Sequence, residues 1–255
     1  MHVFLLAAGV LLVFMTAVFV LALCLRDNSI VDVAYGLAFV LASWSAYLFF
    51  GEGHPRQVLV LLLVTVWGAR LAAHIFLRKR GEGEDFRYRK WRQEWGDSFV
   101  WRSYLQIFLL QGGVVLVVAL PVLTVIDRSG GPLGPLDLLG VLVWILGFGF
   151  EAVGDWQLLR FKGDPVNRGH VIQTGLWRYT RHPNYFGEAT LWWGLFLIAL
   201  GAPWGWAALL SPALIAFLLL KVSGIPMLEA KYEGNPEFEA YRERTNAFFP
   251  WFPRR

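Results

Sequence analysis

Apolar residues in this chain come in blocks with polar stretches between them, and the blocks have the length of a bilayer. About 20 residues of helix cross the roughly 30 Å of hydrocarbon in a membrane. Seven blocks of that kind occupy residues 3–25, 30–50, 57–77, 101–126, 137–160, 185–201 and 204–221. The pattern predicts an all-α integral membrane protein with seven transmembrane helices, forming one membrane domain over 1–255. The first block is preceded only by Met1 and His2 and is longer than the apolar core of a signal peptide, so it reads as a retained span.

The polar stretches set an orientation. Seven Lys and Arg residues lie between Arg78 and Arg92, and Lys162, Arg168, Arg178 and Arg181 lie between spans five and six. Lys231, Arg242, Arg244, Arg254 and Arg255 follow span seven. The alternate loops carry Arg56, Arg128 and, in "GAP" (201–203), no cation. Basic loops stay cytoplasmic, which puts the N-terminus outside and the C-terminus in the cytoplasm. The outer loop "DRSGGPLGPLD" (127–137) reads as a Gly/Pro turn. The tail from Met227 mixes charges with aromatics and predicts short amphipathic helices on the cytoplasmic face, ended by an aromatic interfacial anchor.

Composition agrees: 56% of residues are hydrophobic and 16% charged, against about 25% charged in an average soluble domain. The net charge of +4 follows from the topology and is no sign of nucleic acid. Cys24 is the single cysteine, which excludes an internal disulfide or a CxxC site, and the five histidines form no HExxH pattern. No metal site is expected.

Ionisable residues inside the predicted spans carry the chemistry. A charge at the centre of a helix costs about 2.5–3.5 kcal/mol, so Asp32, Arg70, His74, Glu151, Asp155 and Glu188 call for partners or a polar cavity. Glu151 and Asp155, Asn184 and Glu188, and Arg70 and His74 each stand four apart on one helix face. Three polar faces predict one cavity open to the cytoplasm. Pro183 suits the first turn of a helix, so "RYTRHPNYFGE" (178–188) places a helix N-terminus at the boundary. Its N–H groups, together with Arg178, Arg181, Lys162 and Arg168, predict a polyanion site. "GFGFEAVG" (147–154) has no preceding strand and reads as helix-packing glycines rather than a dinucleotide loop.

"EAVGDWQLLRFKGDP", "NRGHVIQTGLWRYTRHPNYFGE" and "LWWG", with "VDVAYG" and "EDFRYRKWRQEWG" earlier, resemble the bacterial branch of the steroid 5α-reductase family, once catalogued as a domain of unknown function. The resemblance covers almost the whole chain. It implies seven helices, a buried NADPH, a location in the bacterial inner membrane and a cofactor site facing the cytoplasm. Carried over by position, it places Asp155, Lys162, Asn167, Arg168, Tyr179, Arg181, His182, Asn184 and Glu188 near the cofactor, in the 137–255 half. The 1–126 half would hold the substrate. Asp32 stands where the family has a glutamate, Trp67 where it has a tyrosine, and Arg70 matches a family arginine. Tyr35, or an Asp32 kept protonated by burial, are the other candidate acids.

The expected activity is NADPH-dependent reduction of the C4–C5 double bond of a 3-oxo-Δ4 steroid or comparable lipid enone. Isoprenylcysteine methyltransferases carry a string similar to RHPNY, which leaves a membrane methyltransferase using S-adenosylmethionine as a second reading. A non-enzymatic lipid-binding protein with a basic cytoplasmic face is a third.

Overall fold

The computed structural model describes residues 1–81, 83–128 and 132–254, and among them it is built of helices and connecting turns with no strand. Ser129, Gly130 and Gly131 of the predicted outer turn, and Arg255 of the basic tail, lie outside the described residues. Among the described residues, six helical stretches are long and apolar enough to cross a membrane: His2–Leu25, Ile30–Phe50, Pro55–Lys79, Phe86–Val118, Pro135–Gly163 and Gly205–Tyr232. The span expected at 185–201 is the helix Pro183–Ala199, whose 17 residues rise about 25 Å, at the short end of what a crossing needs.

The chain divides into two compact units, one of Met1–Gly134 with Ala199–Ala208, the other of Pro135–Ile198 with Leu209 onward. In the first unit α1 (His2–Leu25) ends where Arg26 takes a left-handed conformation (φ 55°) and returns its N–H to Ala22 and Leu23. Helix α2 (Ile30–Phe50) then runs back, and α3 (Pro55–Lys79) starts with proline at its first position, where no N–H is needed. Helices α2 and α3 approach until their backbones nearly touch: a Cβ on Gly36 would lie 2.4 Å from the Gly68 carbonyl oxygen. One turn away Phe39 and Trp67, both fully buried, meet edge to face at 5.2 Å.

Helix α4 (Phe86–Val118) differs from the expected fourth span of 101–126. It begins 15 residues earlier, because the basic segment is itself helical, with Asp85 capping it by accepting from the Arg87 N–H at 3.0 Å. It stops at Ala119, and α5 (Leu120–Arg128) follows with Pro121 in its first turn. Proline lacks the N–H and crowds the preceding turn, so one long apolar run becomes two helices. Arg56, expected in an outer loop, is buried at the start of α3 and donates to the carbonyls of Gly201 (2.9 Å) and Pro132 (3.0 Å).

The second unit is organised by α6 (Pro135–Gly163) and α7 (Pro183–Ala199). Glycines spaced seven apart let them pack backbone to backbone. A Cβ on Gly140 would lie 2.6 Å from the Gly194 oxygen, on Gly147 2.4 Å from the Leu191 nitrogen, and on Gly187 2.4 Å from the Glu151 nitrogen. Gly147 and Gly154 are therefore packing glycines as expected, whereas Gly149, in the same string, faces open space. The chain continues through α8 (Leu210–Phe217), α9 (Ile225–Glu229) and α10 (Pro236–Arg244), the last capped by Asn235.

Candidate functional site

Each unit carries a polar cluster. In the first, the turn before α2 meets the start of α4. Asp32 accepts from Arg87 Nη2 at 3.0 Å on one carboxylate oxygen and from the Tyr88 hydroxyl at 2.6 Å on the other. Asp85 accepts from Arg87 Nε at 3.0 Å and gives its own N–H to Ser29 Oγ at 3.0 Å. Glu84 takes a bidentate pair from Arg92 (3.1 and 2.8 Å) and the Asn28 N–H (2.9 Å). The Asn28 side chain is fully buried, and neither end of its amide finds a partner among the described residues.

This cluster gives Asp32, expected on the substrate side, two partners from the start of α4. Asp32 faces the Arg87 guanidinium in an ion pair at 3.0 Å. Tyr35 is half-buried and packs edge-on against Phe39 at 5.1 Å. Trp67 is a core residue of the α2–α3 seam, and Arg70 and His74 are half-buried one and two turns further along α3. Arg87, Tyr88 and Glu84 were not singled out from sequence, although the strings "VDVAYG" and "EDFRYRKWRQEWG" that meet here were.

In the second unit Asn184 Nδ2 donates to Asp155 Oδ1 at 3.1 Å, joining α7 to α6. Glu151 and Glu188 lie one turn deeper on the same two helices, Glu151 buried and Glu188 half-buried. Two of the three predicted polar faces thus meet; Arg70 and His74 belong to the other unit. Gln157 accepts from the Leu176 N–H at 3.0 Å, and Gly175 takes a left-handed φ of 62° that favours glycine. Trp177 Nε1 donates to the Gly154 carbonyl at 3.1 Å.

The start of α7 is less open than the sequence implies. The Tyr185 N–H is taken by Asn184 Oδ1 (3.1 Å), the Phe186 N–H by the His182 carbonyl (3.0 Å), and Pro183 sits on Gly154. Arg181 is also engaged: it is buried, binds Glu229 through Nε (2.8 Å) and Nη2 (3.2 Å), and donates from Nη1 to the Arg242 (3.2 Å) and Thr245 carbonyls. His182 reaches Glu229 at 2.9 Å and stacks on Tyr185 at 5.4 Å. Burial pushes the His182 imidazole below its usual pKa, against the pull of the Glu229 hydrogen bond. Arg181 and His182 thus fasten the tail in this arrangement. Lys162, Arg168 and Arg178 are exposed, and Asn167 caps the end of α6 by donating to the Phe161 carbonyl at 3.0 Å.

Tyr179 lines a half-open cleft of about 260 Å³ with Phe150, Leu176, Pro250, Trp251 and Phe252. The tail forms one wall, held by Trp251 N–H to the Tyr179 carbonyl (2.9 Å) and Thr180 Oγ1 to the Phe248 carbonyl (2.8 Å). No group of three or more His, Cys, Asp or Glu residues suited to a metal ion occurs among the described residues.

Long apolar helices among the described residues mark a membrane protein, and each of its two units carries a buried polar cluster. The chain belongs to the family described as "Protein of unknown function (DUF1295)", which matches residues 18–245. An uncharacterized protein of Schizosaccharomyces pombe is 26% identical over 236 residues, a stretch covering 80% of this chain and 67% of that relative. No solved structure matches the chain.

Proposed function

We propose that this chain is a membrane reductase of the steroid 5α-reductase type, with seven spans, its N-terminus outside and its C-terminus in the cytoplasm. It reduces the C4–C5 double bond of a 3-oxo-Δ4 steroid or comparable lipid enone with NADPH. The observation that carries this reading is the Asp155–Asn184 hydrogen bond between α6 and α7, with Glu151 and Glu188 one turn below it. An amide and three carboxylates gathered on two facing helices are hydrogen-bonding groups set within an apolar unit. They suit ribose hydroxyls and a carboxamide.

The donor set fits a dinucleotide by its chemistry. Lys162 and Arg168 are exposed cations for phosphate groups, and Asn184 and Glu188 are hydrogen-bonding groups for the sugar. Arg181 and His182 would act by holding the tail in place. The aromatic cleft beside Tyr179, at about 260 Å³, falls short of the ~300–1,000 Å³ of drug-sized ligand sites, so it does not hold the whole molecule. When bound, NADPH supplies the hydride.

The chain's own part is alignment and charge. Tyr35 and Arg70, half-buried on α2 and α3, are the donors for a ketone oxygen on which negative charge develops. Asp32, tied to Arg87 and Tyr88, fixes the α2 turn from which Tyr35 projects. Apolar surroundings keep water from competing for the enone.

Thermal unfolding of the detergent-solubilised protein tests the reading through binding linkage. NADPH should raise the midpoint of the wild type and leave Asn184→Ala and Glu188→Ala unmoved, and enone absorbance should fall on adding a 3-oxo-Δ4 steroid. Stabilisation by S-adenosylmethionine instead would transfer the site to a methyltransferase. Indifference to both would leave a lipid-binding protein.

A further inference from the structure

The aromatic cleft of the second unit differs in chemistry from the Asp155–Asn184 cluster. Its six lining residues include no charged side chain, and Tyr179 brings the one side-chain hydroxyl. Its base, Phe150, sits on α6 beside an outward stripe of exposed apolar residues: Leu142, Ile145, Leu146 and Val153. Further along that helix the Arg160 guanidinium lies over the exposed Trp156 ring at 5.6 Å. An aromatic–cation pair at a helix end marks the headgroup level of a bilayer. Ten residues separate Phe150 from Arg160, a rise of about 15 Å along α6 from the cleft to that pair.

The other wall is the tail. Phe249, Trp251 and Phe252 are 70%, 69% and 74% exposed, yet the backbone bonds to Tyr179 and Thr180 hold the segment in place, and Phe252 meets Tyr179 edge-on at 5.9 Å. A contiguous apolar patch on a fixed segment marks an interaction surface. Cations flank it. Arg178, exposed, adjoins Tyr179, and Arg254 follows Phe252 by two residues with its N–H on the Arg244 carbonyl at 2.8 Å. Positive charge beside an apolar slot complements a lipid with an anionic headgroup.

We propose that this cleft is a phospholipid site: one acyl chain of an anionic phospholipid lies between Phe150, Leu176 and Tyr179 and the Pro250–Phe252 strap, with its phosphate held by Arg178 and Arg254. The proposal does not depend on the reductase reading.

Photocrosslinking of the full chain in vesicles tests it. Phosphatidylglycerol carrying a diazirine on one acyl chain is compared with phosphatidylcholine bearing the same chains, and labelled peptides are mapped. Label should concentrate on residues 148–152, 174–179 and 250–252, several-fold more with phosphatidylglycerol. Unlabelled phosphatidylglycerol should compete, and NADPH or a 3-oxo-Δ4 steroid should not. Leu176→Trp, which fills the cleft, should cut this labelling several-fold while sparing the 142–146 stripe. Arg178→Ala with Arg254→Ala, both at exposed positions, should abolish the headgroup preference. Even labelling along α6 that ignores all these variants, equal labelling by the two lipids, or displacement by NADPH or steroid would overturn the proposal.

Discussion

Tyr88 donates a 2.6 Å hydrogen bond to Asp32, a residue 56 positions earlier in the chain. With Arg87 on the other carboxylate oxygen, this bond fastens the start of α2 to the start of α4. Tyr88→Phe removes one donor from a mostly buried carboxylate and should cost about 1–3 kcal/mol, and Asp32→Asn should cost a similar amount by leaving Arg87 with Asp85 alone. Thermal midpoints in detergent check both. An unchanged midpoint in the two variants would mean that the network adds no stability.

The α6–α7 seam predicts a sharp contrast between neighbouring glycines. Gly147→Ala would push a methyl group to 2.4 Å from the Leu191 nitrogen, with no flexible side chain to give way. Overpacking of this kind costs about 1–3 kcal/mol. Gly149→Ala meets nothing within 4 Å and should be neutral or gain up to about 1 kcal/mol from helix propensity. Equal effects at the two positions would refute backbone-to-backbone packing.

Arg56 reaches two carbonyls, on Gly201 and Pro132, from one planar guanidinium. Lysine has a single nitrogen and no such fork. Arg56→Lys should therefore lose about 1.5–3 kcal/mol, read as a lower denaturation midpoint, and Arg56→Ala should lose more.

His182 gives a dependence on pH. Its pKa lies below 6.5 in the folded chain, so between that value and 6.5 the unfolded chain binds a proton that the folded one refuses. Stability from this group is present above about pH 6.5 and is lost as pH falls through the window. The wild-type midpoint should drop more between pH 7.5 and 5.5 than that of His182→Gln; identical slopes would remove His182 as the cause.

The spans at 3–25, 30–50 and 137–160 were legible almost to the residue, because hydropathy over 20 positions is a strong signal. The helical stretch from Phe86 to Trp95 was not, since a charged amphipathic helix outside the apolar blocks has no hydropathy signature. The break at Ala119 had a visible cause in Pro121 that an unbroken apolar run concealed. In the second unit the polar faces of Glu151 with Asp155 and of Asn184 with Glu188 were legible from their spacing, and the structure joins them through Asp155 and Asn184. The partners of Arg181 and His182 were not: Glu229 lies 48 and 47 positions away, in a tail whose mixed charges looked like surface. Local pattern reports which face of a helix is polar. It does not report which distant acid will claim a given base.

That last junction bears on how the chain is made. Residues 229–254 leave the ribosome well after Arg181, so until then its guanidinium has neither Glu229 nor the Thr245 carbonyl to neutralise or accept it. The second unit cannot close during synthesis of its own helices. A translation arrest or premature stop before position 229 would strand a charged, half-assembled intermediate, the kind of species that membrane quality-control proteases remove.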